Sequence, residues 1–416
     1  NIGFTFAFFG KSYNSLYLNS DGNLTFGAPE YASTERSLGR MHAGPPRISP
    51  LFDDLDPSAA NASVRVNSTP AQLIISWVNV PEWQPSGSTN PQTFQVRLFP
   101  DGRIEFAWGT VSPTSAVVGI GPGNLEGGPA VVDFSVQGGT YTSLVAELFS
   151  STASLDFLAV AQRFYATHDD AYDYLVIFNG LGMPDSASSL ASTRIVRNAF
   201  TGNGDVQVDM GREFGSPSRL QAVIHMAYPG QYPEDLLQAR MRYTDTPIGI
   251  LAHESGHLWL AYATTREPDN ANALSLLGGQ LAHWSFNFNS LASLLEGNTI
   301  EDHNDGTFRT IDATHRFSPL DQYLMGLRPA WDVRLEGHDL FRVADSTTIS
   351  GNAIPNTRLP QTGVDMRGFR TNVAIEDIMA ANGRRTPDHT VSQKRFRFGF
   401  IYIVPAGAQP AQADLD

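Results

Sequence analysis

From Asn1 to about residue 149, apolar and polar positions alternate in short runs. Leu16 and Leu18 precede Asp21-Gly22, and Leu24 and Phe26 follow it. The stretch "FQVRLFPDGRIEFAW" repeats this arrangement around Asp101-Gly102. Alternation is the period of a half-buried strand, and Asp-Gly allows the positive φ of a tight hairpin turn. "FTFAFF", "LIISWVNVPEW", "AVVGIGPGN" and "AVVDFSVQG" add further short strands. Short strands at this spacing predict an all-β antiparallel sandwich or barrel, with the sandwich as the first choice.

Near Ser151 the period changes. "SLDFLAVAQRFYATHDD" places Leu155, Leu158, Val160, Ala161 and Phe164 on a helical repeat. "YDYLVIFNG" is the continuous apolar run of a buried strand, and "RLQAVIHMAY" reads as another. "TDTPIGILAHESGHLWLAYAT" reads as a helix with Thr246 as N-cap and Pro247 at its first position. "LLEGNTIEDHNDGTFRTI" predicts a hairpin turning at Asp305-Gly306, and Ser318 and Pro319 open a short helix in "SPLDQYLMGL". "IEDIMAANG" adds a helix and "FRFGFIYIVPAG" a strand. This mixture predicts an α+β domain. The expected protein is thus multidomain, with a β domain over 1–149 and an α+β domain over 150–416. Residues 331–416 form the C-terminal subdomain of the latter, because "FRFGFIYIVPAG" is too apolar to stand alone. The chain opens inside a strand and stops at "AQADLD", so sequence beyond both ends is expected.

Charge and composition narrow the function. The 416 residues carry 42 acidic and 28 basic side chains, a formal charge of −14, which argues against general binding of nucleic acid or anionic membrane. With no cysteine, disulfides, thiolate metal sites and a cysteine nucleophile are excluded. That composition leans toward an exported bacterial protein. No apolar run approaches the roughly 18 residues of a membrane span, so no transmembrane segment is expected.

The chemistry concentrates in His253-Glu254-Ser255-Gly256-His257. On a helix, residues four apart share a face, so both imidazoles address one point. Two neutral imidazoles at that spacing bind Zn²⁺, and the intervening Glu254 reaches a water on the metal as general base. A third ligand must come from elsewhere. His283, 26 residues past His257, is the first choice and Asp321 the alternative. Glu296, Glu267 and Asp269 are further acids in range. Each has a structural reading beside the ligand reading. His283 adjoins Trp284 in an apolar stretch, Asp321 completes a capping box with Ser318, and Glu296 precedes Gly297 at a turn. Tyr323, His225 and Tyr262 are candidate donors to a tetrahedral oxyanion. "RLQAVIHMAY" is the candidate edge strand for pairing with an extended peptide. Leu324, Met325 and Leu327 read as a buried helix face, or Met325 as an apolar base under the metal.

The strings "IGFTFAFFGKSYNSLYLNSDGNLTFG", "PRISPLFDDLDP", "LIISWVNVPEW" and "TFQVRLFPDGRIEFAW" resemble the nidogen-like (NIDO-type) extracellular β domain. The resemblance implies an extracellular or surface module with no catalysis of its own and a cell-surface or matrix partner. Asp53, Asp54 and Asp56 within it are either a Ca²⁺ cluster or turn caps. The histidine motif resembles the active-site helix of zincin metallopeptidases. Leu260 and Ala263 stand where metzincins carry Gly and His, so that branch is excluded. "HWSFNFNSLASLLEGN" and "RFSPLDQYLMGL" are also loosely similar to segments of secreted immune-inhibitor-A-like peptidases, and no ligand is carried over from them. These resemblances imply a secreted or surface zinc metalloendopeptidase acting on protein or peptide. The rival reading is an adhesive surface protein with an inactive zincin domain. The intact Glu254 opposes it.

Overall fold

The computed structural model describes the chain apart from residues 33, 86, 137, 151–153, 187–188, 241–244, 268–270, 335–338, 413–414 and 416. Two compact units emerge. The first comprises Asn1–Asp170 with Gly211–Ser218, and the second Ala171–Met210 with Arg219–Asp416.

The first unit is built on two large sheets, with a two-stranded one between Phe6–Phe8 and Lys11–Tyr13. One large sheet runs in the order 130–131, 145–150, 115–121, 47–52, 23–25, 17–19; the other runs 63–68, 73–82, 89–98, 104–108. Pairing is antiparallel except between Ala130–Val131 and Val145–Ser150. Asp21-Gly22 and Asp101-Gly102 sit at hairpin turns, with both glycines at positive φ as expected. Alternation along Leu73–Glu82 sends Leu73, Ile75 and Trp77 inward, where they meet Phe94, Val96, Leu24 and Ile48 in one core. Burial of such side chains contributes about 1.5–3 kcal/mol each.

The helix Phe157–Tyr165, expected to open the second domain, lies in this first unit. Its N-cap Asp156 also accepts the Gly39 amide, and Gln162 donates to the Gly39 carbonyl. A helical period identifies an apolar face but not the partner that covers it.

The second unit holds two four-stranded sheets. The first has the order 192–195, 222–225, 174–179, 398–403, with only Ser192–Ile195 antiparallel to its neighbour. "RLQAVIHMAY" supplies Ala222–His225 as an inner strand, and the edges are Ser192–Ile195, next to it, and Phe398–Ile403. A run with four consecutive buried residues, Ala222–His225, is suited to the interior, whereas the half-buried Ser192–Ile195 suits an edge. The second sheet, 298–302, 307–313, 365–372, 341–348, packs Phe308, Phe341, Val343 and Met366 around Phe286. The last 86 positions do not stand apart: Phe341–Thr348 and Asp365–Asn372 join the second sheet, and Phe398–Ile403 joins the first.

The helices are shorter than the sequence predicts, and β structure dominates this unit. Thr246 caps the motif helix and Pro247 opens it, but it ends at Gly256 with His257 as C-cap. The apolar run "LWLAYA" was expected to continue the helix. It leaves the helical path instead, and Leu258, Trp259, Leu260, Ala261 and Ala263 are buried in the core. Apolar content alone does not distinguish a helical turn from a buried irregular segment.

Candidate metal centre

Three histidines converge. The motif helix Pro247–Gly256 presents His253 and, at its C-cap, His257. Ile250 of that helix belongs to one core with Val176 and Ile224 of the first sheet, and Tyr174 donates its hydroxyl to the Ser255 carbonyl. His283 arrives after a short turn, Gly279–Leu281, in which Gln280 and Leu281 take left-handed φ of 57° and 56°. The Nε2 atoms of His253 and His283 lie 3.2 Å apart, and those of His257 and His253 3.1 Å apart. Among the described residues this is the one group of three or more His, Asp or Glu whose ligand atoms come within metal-binding range of each other.

Backbone carbonyls decide which nitrogens face the centre. His253 Nδ1 lies 2.7 Å from the Leu294 carbonyl, and His283 Nδ1 2.9 Å from that of Gly279. A carbonyl only accepts, so each Nδ1 carries a hydrogen, and in the neutral ring Nε2 keeps its lone pair toward the centre. His257 Nδ1 faces the Leu260 carbonyl at 3.4 Å. Burial, with His283 beside it, draws His253 down to about 4, and burial with both neighbours holds His257 well below the ordinary histidine range. His253 and His257 are therefore neutral at pH 7. Two neutral Nε2 atoms cannot hydrogen-bond to each other, and their lone pairs repel until a cation stands between them. The 3.1–3.2 Å spacings fit the edge of a nitrogen-ligand tetrahedron, about 3.3 Å for Zn–N bonds of about 2.0–2.1 Å. The donor set suits zinc and related borderline divalent ions.

Glu254 is buried beside these rings, and burial pushes it up to about 7. Thr193, on the edge strand Ser192–Ile195, donates toward both Glu254 Oε2 at 2.8 Å and the Glu254 carbonyl at 2.7 Å. Among the described residues no hydrogen bond engages the other carboxylate oxygen of Glu254.

The remaining candidates are placed elsewhere. Asp321 is fully buried, accepting from the Trp284 indole at 3.0 Å and the Ser318 amide at 2.7 Å, and it is not one of the converging groups. Glu296 sits at a φ of 58° just before Gly297, as its turn reading expects. Glu267 pairs with Arg342 and accepts from Ser275. Asp269 lies outside the described residues. His225 is held by Asp185 at 2.8 Å, with Asn179 at its other nitrogen, and the Tyr323 hydroxyl accepts from the Arg385 amide. Tyr262 donates to the His257 carbonyl. Met325 packs with the helix core. In the first unit, Asp53, Asp54 and Asp56 serve different partners. Asp53 stands against Glu82, Asp54 pairs with Arg36, and Asp56 accepts from Ser58 and Ser88. They do not form a converging cluster.

Sequence reasoning missed Thr193 and the carbonyls of Leu294 and Gly279. Nothing in residue type marks a carbonyl as an orienting group, and Thr193 reaches the site only through sheet order.

Comparison with known proteins separates the two units. Residues 1–160 match the family model described as NIDO related. The N-terminal domain is nidogen-like. The rest of the chain lies outside that match, and no curated protein or solved structure matches the chain. No helix among the described residues is long and apolar enough to cross a membrane.

Proposed function

We propose that this is an extracellular zinc-dependent metallopeptidase of the zincin type, with the nidogen-like domain as its binding or spacing module. The observation that carries the reading is the set of facing Nε2 lone pairs, fixed by carbonyls on the far side of the rings. His253, His257 and His283 would hold the ion. Zinc bound there would lower the pKa of water toward about 7 and polarise a carbonyl.

The chain's own residues supply the rest. Glu254 takes the proton of the attacking water on the oxygen that Thr193 leaves open, then passes it to the leaving amine. The outer edge of Ser192–Ile195 can pair with an extended peptide, and Thr193 on that strand brings the paired backbone past Glu254. Protein or peptide is therefore the substrate class.

The test is metal content by mass spectrometry together with casein hydrolysis, on the wild type and Glu254→Gln. About one zinc per chain in both, with hydrolysis lost in the variant by roughly 10²–10⁴-fold, supports the reading. Zinc in both and hydrolysis in neither points to an adhesive protein carrying an inactive zincin site. Absence of bound zinc sinks the metal centre.

A further inference from the structure

Asp321 is more enclosed than a helix cap requires. It completes a capping box on the short helix Pro319–Leu324, accepting from the Ser318 amide while Ser318 accepts from its own. A cap carboxylate does this at a surface with its remaining lone pairs in water. Here the side chain has no exposure, and among the described residues no Lys, Arg or His pairs with it. Removing an ionised carboxylate from water costs several kcal/mol unless other groups hold it.

Two such groups face it, and each leads to a histidine. The Trp284 indole donates to Asp321 Oδ1 at 3.0 Å, and Trp284 follows His283 directly in the chain. The Ser293 hydroxyl is the other, and its oxygen accepts the Leu295 amide at 3.2 Å. That bond closes a tight turn over Ser293–Leu295. The Leu294 carbonyl of this turn orients His253, and the Leu295 carbonyl accepts the Trp284 amide at 2.9 Å. One buried carboxylate thus ties together the segment that carries His283 and the turn that orients His253.

We infer that Asp321 is a positioning residue of the histidine site, setting the geometry of His283 through Trp284 and of His253 through the Ser293–Leu295 turn. It touches no metal ligand itself. The inference rests on the reading of His253, His257 and His283 as a metal site.

The test measures Zn²⁺ affinity by competition with a chromophoric chelator, using the full chain. The proteins are the wild type, Asp321→Asn, Trp284→Phe and Ser318→Ala. Circular dichroism melts of the metal-free proteins report folding. Ser318→Ala weakens the helix cap but leaves the Trp284 and Ser293 links in place. Trp284→Phe removes the indole N–H while keeping an aromatic ring, and serves if Asp321→Asn does not fold. The expected result is a loss of zinc affinity of about 10–100-fold in Asp321→Asn and Trp284→Phe, the range for outer-shell partners. Ser318→Ala should bind as the wild type does. The visible spectrum of the Co²⁺-loaded protein should change in the same two variants. Wild-type affinity in both Asp321→Asn and Trp284→Phe overturns the inference and leaves the metal site standing. An equal loss in Ser318→Ala reduces Asp321 to a helix cap. A wild type that binds no zinc removes the metal site itself, and the inference with it.

Discussion

The buried arginines of the first unit and the histidine site of the second meet their surroundings in opposite ways. In the nidogen-like unit, Arg40 and Arg47 are almost fully enclosed, and each meets acids. Arg47 pairs with Glu30, Arg40 with Asp21, and Arg36 joins Asp21 to Asp54. Both buried guanidinium groups also lie over the Phe52 ring. In the second unit, half-buried His253 and buried Glu254 and Asp321 are met by carbonyls, hydroxyls and an indole, and by no ion pair among the described residues. Cation and anion compensate each other in the first arrangement, which therefore serves architecture. The second has no cation of its own among the described residues, and the facing nitrogens of His253, His257 and His283 form a group that could hold one.

The largest expected effect tests the closed network. Arg47→Met leaves Glu30 buried without its close partner and should destabilise the N-terminal unit by about 3–5 kcal/mol in urea unfolding. Adding Glu30→Leu should restore part of that loss, because a buried pair replaced on both sides is often neutral. No recovery in the double variant would mean that the acid, rather than the pair, carries the stability.

His283→Ala probes the open arrangement. Zinc affinity should fall by more than the roughly 100-fold that loss of an outer-shell partner brings. The metal-free protein should melt no lower than the wild type, since one ring of a repelling set is gone. A large drop in the metal-free melting temperature would place His283 among the architectural groups instead.

Thr193→Val removes a hydroxyl held by a charged carboxylate. Such a bond contributes about 1.5–3 kcal/mol, which corresponds to a fall of roughly 10–100-fold in kcat with zinc content unchanged. Thr193→Ser should recover most of it, and a rise in KM at constant kcat would contradict the assignment.

The smallest effect concerns pH in the first unit. Burial, with Glu82 beside it, pushes Asp53 up to about 7, above its unfolded value near 3.8. The unfolded chain then loses this proton first. The stabilising contribution of the protonated group is full below about 4 and disappears as pH rises through 7. Asp53→Asn cannot ionise, so its melting temperature relative to the wild type should climb between pH 5 and pH 8. A constant difference across that range would show that Asp53 is already ionised in the fold.

Local signals read well because they act within one turn of chain. Thr246 and Pro247 start the motif helix, Ser318 caps the next, and Asp305-Gly306 lies in the turn between the strands Asn298–Asp302 and Thr307–Ala313. The His253–His257 pair was legible for the same reason: four residues of helix bring them together. His283 was legible only as one of several candidates, because its approach depends on the left-handed turn at Gln280 and Leu281. Asp321 looked equally suitable as a ligand, since residue type does not reveal direction.

The sequence by itself determined the hairpins of the first unit, the helix starts, and the paired histidines with Glu254 between them. These follow from short-range sterics, capping and periodicity. Tertiary structure decided that Ser192–Ile195 is an edge strand, that Phe157–Tyr165 packs in the first unit, and that His283 rather than Asp321 meets the pair. Each of those depends on contacts between residues far apart in the chain, where burial and hydrogen-bond direction are settled by what the fold brings alongside.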